Sequence, residues 1–248
     1  MLTPLILCAA TLLNASFYPQ QGPTCMVAAA RMVISAHEPP PAHRALSRTL
    51  PIWPDGVHAY DLVTELERRG WEALIFTGPP EAIARLVEAG FGVIAMVKSS
   101  AGRHSVAITG VQRLADPEHP KTCRRALHKL WVSDPDQAQA RWETARAFEA
   151  RQSEQQAIVI YRPEQSDQLG ARGFPTAVAR RLDRRFRAQT LYERALRHER
   201  PNLQQRTLLI KAVTLDPCYP PPRQRLRQIE RQLKQAPSAL PTCAEVKR

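Results

Sequence analysis

Four residues of this sequence have the types and the order that nucleophilic catalysis by a thiol requires. Cys25 begins a segment with a helical period, His104 begins a segment typical of a strand, and Asp134 ends the next such segment. A thiol catalyst needs a histidine that exchanges its proton, a group that orients this histidine, and hydrogen-bond donors for the oxyanion. The side-chain amide of Gln20, in FYPQQGPTC, could join the backbone N–H of Cys25 as such a donor.

Each of these residues also has a purely structural interpretation when it is considered alone. A cysteine at the start of an apolar helix is commonly a small core residue, and an aspartate before proline is commonly a turn residue. Gln21 competes with Gln20 for the donor role, and Asp136 competes with Asp134 for the place beside the Nδ1 atom of the imidazole. The catalytic interpretation therefore depends on the four residues together, and both alternatives stay open.

The position of Cys25 predicts that its thiol is more acidic than an ordinary one. The run TCMVAAARMVISA has apolar residues at positions 26, 27, 30, 33 and 34, which is a helical period, and Thr24 and Cys25 stand where the cap belongs. We therefore expect a helix to begin at Cys25. Because the unpaired amide groups at a helix N-terminus favour an anion, the pKa of this thiol should lie below that of a free cysteine.

The remaining cysteines and the histidines predict neither a disulfide framework nor a metal site. The five cysteines are an odd number, widely spaced, and no two of them form a Cys-x-x-Cys pair. Those other than Cys25 are Cys8, Cys123, Cys218 and Cys243. His119, Cys123 and His128 lack the spacing of a zinc finger and have no fourth ligand. We expect no metal ion and no organic cofactor.

Length and composition exclude several classes of protein. The chain has 248 residues, of which 44% are hydrophobic and 23% charged, enough for one large domain or a medium domain with a small one. No stretch reaches the roughly 18 to 20 apolar residues of a membrane span, and the sequence contains no glycine-rich phosphate loop. Polytopic membrane proteins, P-loop nucleotidases and Rossmann dehydrogenases are therefore disfavoured.

The net charge of +12 comes entirely from the C-terminal part of the chain. Residues 1–170 carry 17 basic and 17 acidic side chains, whereas residues 171–248 carry 18 and 6. Such a segment attracts acidic partners, although arginine-rich helices are commonly only a solvated face. Because no aromatic-interleaved RNA-binding motif accompanies the charge, we expect a protein partner for this tail rather than nucleic acid.

Residues 1–15 have two interpretations. The apolar run from Leu5 to Leu13, followed by Asn-Ala-Ser, is typical of a short signal peptide cleaved after Ala15, which would export the protein to the periplasm or beyond. No lysine or arginine precedes this run, however. The alternative is an N-terminal strand that covers the core of the next domain in a cytoplasmic protein.

The pattern that follows predicts an α+β domain over residues 16–162. The proline-rich segment 39–54 is typical of a loop, and segments 55–69 and 79–89 have a helical period and end at glycine. Turn-bounded segments rich in β-branched residues predict strands at 71–76, 91–98, 104–111, 126–134 and 156–161. Helices thus come first and a sheet follows.

The C-terminal part is predicted to be helical. We expect a linker at 163–175, a basic helical region at 176–236 and a flexible tail at 237–248. Two places in this region resemble tetratricopeptide repeats: Ala188 with Tyr192 and Ala195, and Ala212 with Asp216 and Pro217. They lie only 17 residues apart, so no solenoid can form. Because so few repeats cannot bury all of the apolar surface of these helices among themselves, part of it should lie against residues 16–162 or against a partner.

Residues 16–162 resemble the papain-like cysteine peptidases of the bacteriocin-processing, double-glycine-leader family in their stand-alone bacterial form. The resemblance is carried by FYPQQGPTCMVAAARMV, DLVTELERRGWEALIF, EAIARLVEAGFGVIAMVKSSAGRHSVAITGV and WVSDP. It implies helices packed on an antiparallel sheet, peptide-bond hydrolysis, and no cofactor. It also implies that Cys25 is the nucleophile, His104 the general base, Asp134 its orienting group and Gln20 the oxyanion donor. Some exported members end in tetratricopeptide-like helices, which agrees with the two partial matches predicted here.

Two departures from the family pattern leave alternatives open. Met26 stands where the family usually has glycine, and its side chain could crowd the substrate cleft or leave the chemistry intact with altered specificity. That residue favours a second interpretation, a non-catalytic peptide-binding module with a helical protein-docking tail. The insertion from Gln112 to Ala126 is either an extension of a hairpin or a sign that Asp134 is misassigned. A third interpretation, an interaction protein that acts only through its basic helices, depends on the charge distribution alone.

Overall fold

The chain divides into two compact units, Met1–Ala179 and Arg180–Arg248. The computed structural model describes residues 7–54, 56–100, 102–115, 125–137, 139–171, 176–198, 201–233, 235 and 238–242. Within these residues no helix is both long and apolar enough to cross a membrane. The first unit contains all the strands of the described chain, and the second consists of helices.

The first unit is an antiparallel sheet with helices. Its elements are β1 (Leu7–Leu12), α1 (Cys25–Ser35), α2 (His43–Ser47), α3 (Ala59–Arg68), β2 (Glu72–Thr77), α4 (Pro80–Glu88), β3 (Val93–Ser99), β4 (Gly102–Ala115), β5 (Arg125–Ser133), β6 (Arg141–Thr144), α5 (Ala145–Arg151), β7 (Gln152–Tyr161) and α6 (Ser166–Ala171). The strand order is β2-β7-β3-β4-β5-β6, with β1 paired to β4. The predicted α+β class, with N-terminal helices and an antiparallel sheet, is confirmed.

Both faces of the sheet are covered by apolar packing. In β3 the side chains of Val93, Ala95 and Val97 belong to one core, together with residues of α4. Ile94 and Met96, which alternate with them and therefore point to the opposite face, are buried as well. Helix α1 packs against β3, β4 and β7. The strands are consequently continuous apolar runs rather than alternating ones, as their sequences predict.

Helix α1 is an internal helix. It begins at Cys25, as predicted, and eight of its eleven residues are buried. A helix that is apolar nearly all round must be enclosed by other elements. The sheet and the neighbouring helices α2 and α3 contact it, so its N-terminus is held firmly at one place in the fold.

Strand β1 corresponds to the strand interpretation of residues 1–15. It pairs with the C-terminal half of β4, where Leu12 lies opposite Gly110. A Cβ atom at Gly110 would lie 2.7 Å from Leu12 Cδ1 and 2.7 Å from Trp131 Cβ on β5. Residue 110 is therefore best occupied by glycine, because a Cβ atom there would force a neighbouring atom of β1 or β5 to move.

Gly110→Ala is expected to lower the free energy of unfolding by roughly 1 to 3 kcal/mol, because the added methyl group must push β1 or β5 away from β4. Urea denaturation of the full chain measures this. Gly170→Ala in α6 is the matched control, since nothing lies within 4 Å of a Cβ atom there. Equal stability of Gly110→Ala and the unaltered protein would contradict the close approach of β1.

Several elements differ from the sequence-based expectations. Helix α2 lies inside the predicted loop 39–54, and β6 and α5 were not predicted. In α5 Phe148 is the buried residue, so the segment shows no apolar period. Its start is fixed instead by the Thr144 side chain, whose oxygen accepts a hydrogen bond from the Ala147 N–H.

The segment predicted as a linker at 163–175 is largely structured. Pro163–Gln165 form a single 3-10 turn, and α6 follows directly. Leu169 of α6 is fully buried in the core of the first unit, so this segment belongs to that unit. Residues 172–175 lie outside the described residues.

The insertion between Gln112 and Ala126 extends a hairpin. Strand β4 continues to Ala115 and β5 begins at Arg125, and these two residues are paired. The connecting residues 116–124, with His119 and Cys123, lie outside the described residues. Of the two alternatives, the structure has the hairpin extension.

The second unit has a core of its own. Its helices are α7 (Thr176–Leu196), α8 (Leu203–Leu215) and α9 (Pro220–Gln232), which lie within the helical region predicted at 176–236. Ala195, Leu209, Leu226 and Ile229 form the core of this unit. Leu209, Leu226 and Ile229 are thus buried among the helices of one compact unit. The expectation that a further part of the apolar surface lies against residues 16–162 or against a partner stays a prediction.

Buried acids of the second unit are paired internally. Asp183 is paired with Arg187, Asp216 with Arg185, and Glu230 with Arg206. Part of the predicted flexible tail packs here as well: the Ser238 N–H donates to Glu230 at 3.0 Å, and Leu240 packs on the core. The function of this unit as a docking element for an acidic partner stays a prediction.

Cys218, in the turn between α8 and α9, is disulfide-bonded. The spacing of the cysteines predicts no disulfide framework, and Cys218 is nevertheless bonded. This bond removes Cys218 from the set of free thiols that could compete with Cys25 for an electrophile.

Candidate active site

Cys25 is the first residue of α1 and has a free, half-buried thiol. The Thr24 side chain does not cap the helix, because its hydroxyl donates to the Gln21 carbonyl at 2.8 Å instead. The first turn also carries no acidic residue. The backbone N–H groups and the helix dipole at this end therefore favour a negative charge on the sulfur.

His104 and Asp134 form a direct hydrogen bond. His104 lies near the start of β4, Asp134 directly follows β5, and His104 Nε2 is 2.7 Å from Asp134 Oδ1. We expected the carboxylate at Nδ1, but the structure places it at Nε2. A carboxylate accepts, so Nε2 carries the proton of this bond. Nδ1 is then the ring nitrogen left for Cys25, with which His104 forms a side-chain hydrogen bond.

The environment of Cys25 stabilises the thiolate. Burial by itself raises the pKa of the thiol, but hydrogen bonding to His104 and the positive charge of this imidazole lower it. The backbone and side chain of Ser105 hydrogen-bond the sulfur as well, and the net pKa lies below the ordinary value. The predicted direction of the shift is thus the one found.

The imidazole of His104 is held in its protonated form. Burial lowers its pKa, but the hydrogen bonds to Asp134 and Cys25 and the negative charges of both outweigh burial and raise the pKa to about 9. A depressed thiol pKa beside a raised imidazole pKa is the combination of shifts that favours a thiolate–imidazolium ion pair. This is the state in which a cysteine attacks a carbonyl carbon without a further base.

Asp134 is fixed as a carboxylate by three neighbours. Burial raises its pKa, whereas the His104 hydrogen bond, the backbone N–H of Asp136 and the charge of Arg151 lower it below the usual value. The Asp136 N–H donates to Asp134 Oδ1 at 3.0 Å, and Arg151 Nη1 lies 4.0 Å from Asp134 Oδ2. Glu143 holds Arg151 through two hydrogen bonds of 2.8 and 2.7 Å. The carboxylate therefore keeps one orientation.

Gln20 lies beside the turn that carries Asp134. Its backbone N–H donates to the Pro135 carbonyl at 3.0 Å, and its side-chain Nε2 donates to Asp136 Oδ1 at 2.9 Å. The rival Gln21 is exposed, and its N–H contacts the Thr24 hydroxyl at 3.3 Å. The two aspartates thus have different partners, since Asp134 contacts His104 and Asp136 contacts Gln20.

Ser105 is the residue at this site that sequence reasoning missed. It is buried, and its hydroxyl oxygen also lies 3.3 Å from Met96 Sδ, so the two sulfur atoms compete for its one proton. A serine inside a strand carries no signal of function, and only its position next to His104 could have pointed to it. Asp136 was considered only as a substitute for Asp134, not as a partner of Gln20.

Met26, the residue that departs from the family pattern, is 6% exposed. Its side chain is therefore packed inside the protein and does not project into solvent beside Cys25. Among the described residues no three histidine, cysteine or acidic side chains are grouped as metal ligands.

Comparisons with known proteins show only distant similarity. No protein-family model matches this sequence, and no curated protein matches it. Among solved structures, the peptidase domain of Streptococcus ComA, a bi-functional ABC transporter involved in quorum sensing, is similar with 13% identity and a TM-score of 0.45, covering 58% of this chain and 96% of that one. A double glycine motif protease from an AMS/PCAT transporter, solved with its leader peptide, is similar with 14% identity and a TM-score of 0.44, covering 64% and 97%. Values this low carry no function across to this chain.

Proposed function

We propose that this protein is a papain-like cysteine peptidase in which Cys25 is the nucleophile. The observation that carries the proposal is the chain of contacts from the Cys25 thiol through His104 to the Asp134 carboxylate. The imidazole is buried and contacts both a free thiol at a helix N-terminus and a carboxylate. Few purely structural roles require this arrangement. Perturbed pKa values of this kind cluster at functional sites.

In the acylation step the Cys25 thiolate attacks the carbonyl carbon of the scissile peptide bond, and a carbon–sulfur bond forms. The carbonyl electrons move to the oxygen, which becomes an oxyanion that the Cys25 backbone N–H and the Gln20 amide stabilise. The oxyanion then collapses, the carbon–nitrogen bond breaks, and the leaving amine takes the proton from His104. The product is a thioester on Cys25 with a neutral His104.

In the deacylation step the neutral His104 accepts a proton from water, and the resulting hydroxide attacks the thioester carbon. The second oxyanion collapses, the carboxylic acid leaves, and the Cys25 thiolate faces a protonated His104 again. Asp134 keeps the ring in one tautomer and orientation throughout. No metal or organic cofactor takes part, and the substrate class is a peptide or protein.

The alternative function, a non-catalytic peptide-binding module, was favoured by Met26. This side chain is packed inside the protein, which weakens the steric argument for a blocked cleft. The two functions differ in one measurable property, because a binding module has no need for a thiolate at Cys25.

Iodoacetamide at pH 6.5 is expected to alkylate Cys25 roughly tenfold or more faster in the folded protein than in the urea-unfolded protein, since the folded thiol has the lower pKa. Peptide mapping by mass spectrometry locates the modified residue. His104→Ala should abolish the difference, whereas His198→Ala, which removes an imidazole from the helical unit, should preserve it. Equal rates in the folded and unfolded protein would contradict the peptidase function and support the binding module.

A further inference from the structure

The turn after β5 joins the two halves of the candidate site. It contains Asp134, Pro135 and Asp136, and each contributes one contact. Asp134 binds His104 at 2.7 Å, the Pro135 carbonyl accepts the Gln20 backbone N–H at 3.0 Å, and the Asp136 carboxylate accepts the Gln20 side chain at 2.9 Å. One short turn therefore fixes both the carboxylate behind the histidine and the segment that precedes the nucleophile.

The chemistry of an amide side chain makes the Asp136 contact informative. A glutamine amide has two ends of nearly the same shape, and only the nitrogen end can donate to an oxyanion. An ionised carboxylate accepts and never donates, so Asp136 selects the Nε2 end of Gln20. This nitrogen carries two hydrogens, of which Asp136 takes one, and the second is left to donate to an oxyanion.

We propose that Asp136 is a positioning residue for Gln20: its carboxylate holds the amide nitrogen in the orientation in which it can stabilise the oxyanion. This inference rests on the proposed peptidase function. Asp136 is exposed, whereas Asp134 is buried against His104. Because the hydrogen bond to Gln20 is exposed, it adds little to global stability, and its effect should be seen in the reaction rather than in unfolding.

The test uses the full chain and two probes that differ in one respect. Hydrolysis of p-nitrophenyl acetate passes through an oxyanion, whereas alkylation of Cys25 by iodoacetamide does not. Asp136→Ala is expected to lower kcat for the ester roughly tenfold, a part of what one oxyanion donor contributes, and to leave the alkylation rate within about twofold. The backbone N–H of residue 136 stays in this variant and continues to bind Asp134.

Two variants separate positioning from a general structural effect. Asp136→Asn keeps an acceptor oxygen and should restore most of the activity lost in Asp136→Ala. In the Gln20→Ala background, Asp136→Ala should cause no further loss, because the amide that it positions is already absent. Both measurements are made at the pH optimum of the unaltered protein.

The outcomes that overturn this inference are distinct from those that overturn the peptidase function. If the unaltered protein hydrolyses the ester through Cys25 but Asp136→Ala is equally active, Asp136 does not position Gln20. If Asp136→Ala slows alkylation as much as hydrolysis, it acts through Asp134 and His104, and the inference is again wrong. If the unaltered protein shows neither a fast Cys25 alkylation nor ester hydrolysis, the peptidase function itself fails.

Discussion

Cys25→Ala and His104→Ala are each expected to reduce peptide hydrolysis by roughly 10⁴-fold or more, to the level of background. The first substitution removes the atom that forms the thioester. The second removes both the proton donor for the leaving amine and the positive charge that lowers the pKa of the Cys25 thiol. Both residues are therefore needed for the same step, and neither can replace the other.

The double variant is expected to lose little more than either single variant, because residues that act as one unit are not additive. The measurement is the turnover of a fluorescently labelled casein at neutral pH, with His198→Ala as a control that removes an imidazole elsewhere. Circular dichroism should show the same secondary structure in all variants. Hydrolysis that persists in Cys25→Ala would assign the activity to another residue and refute the proposed mechanism.

Local sequence pattern was sufficient for the elements that carry the catalytic candidates. The start of α1 at Cys25 follows from an apolar period of 3.6 residues that begins directly after Pro23 and Thr24. The strand that carries His104 follows from a run of β-branched residues after a turn. Each of these two patterns lies within about ten residues of sequence. Burial of the segments in the folded protein favours the same secondary structure as the local pattern does.

The features that sequence reasoning missed depend on contacts between distant residues. The Gln20–Asp136 hydrogen bond joins positions 116 residues apart, and no pattern in either neighbourhood specifies it. The same holds for the choice between the two ring nitrogens of His104, because it depends on how the imidazole is oriented between Cys25 and Asp134. Residue types and their order in the sequence identified the catalytic candidates. The contacts between these residues could be assigned only from the register of the sheet.

The polar segments were harder to predict for another reason. Strand β6 and helix α5 contain a single fully buried apolar residue, Phe148, so hydrophobic periodicity gives no signal there. They are held by the ion pair between Arg151 and Glu143 and by pairing of β6 with β5. Arg151 also lies near Asp134. A segment that is unremarkable in sequence thus contributes to the electrostatics of the site.

The pH dependence of hydrolysis should report the ion pair. The rate is expected to rise with pH as Cys25 loses its proton, with a midpoint below the pKa of an ordinary thiol. It should fall again near pH 9, where His104 loses the proton that the leaving amine needs. Because the two groups interact, the limbs of this profile report pKa values of the pair.

Asp134→Asn is expected to lower kcat roughly 100-fold, less than the loss of Cys25 or His104, and to shift the alkaline limb to lower pH. The carboxylate raises the pKa of His104 through a hydrogen bond and through its charge. Asparagine can keep a hydrogen bond but not the charge, so the imidazolium loses its proton at lower pH and the thiolate loses its counter-ion. The pH profile of kcat/KM measures the shift.

Asp136→Asn is the matched control for this shift, because it removes a carboxylate from the same turn whose partner is Gln20 rather than His104. Its alkaline limb should stay where it is in the unaltered protein. If Asp136→Asn moves the limb and Asp134→Asn does not, the orienting carboxylate is Asp136, and the 2.7 Å contact between His104 and Asp134 is not the one used in the reaction. An unchanged limb in both variants would mean that no carboxylate of this turn controls the proton of His104.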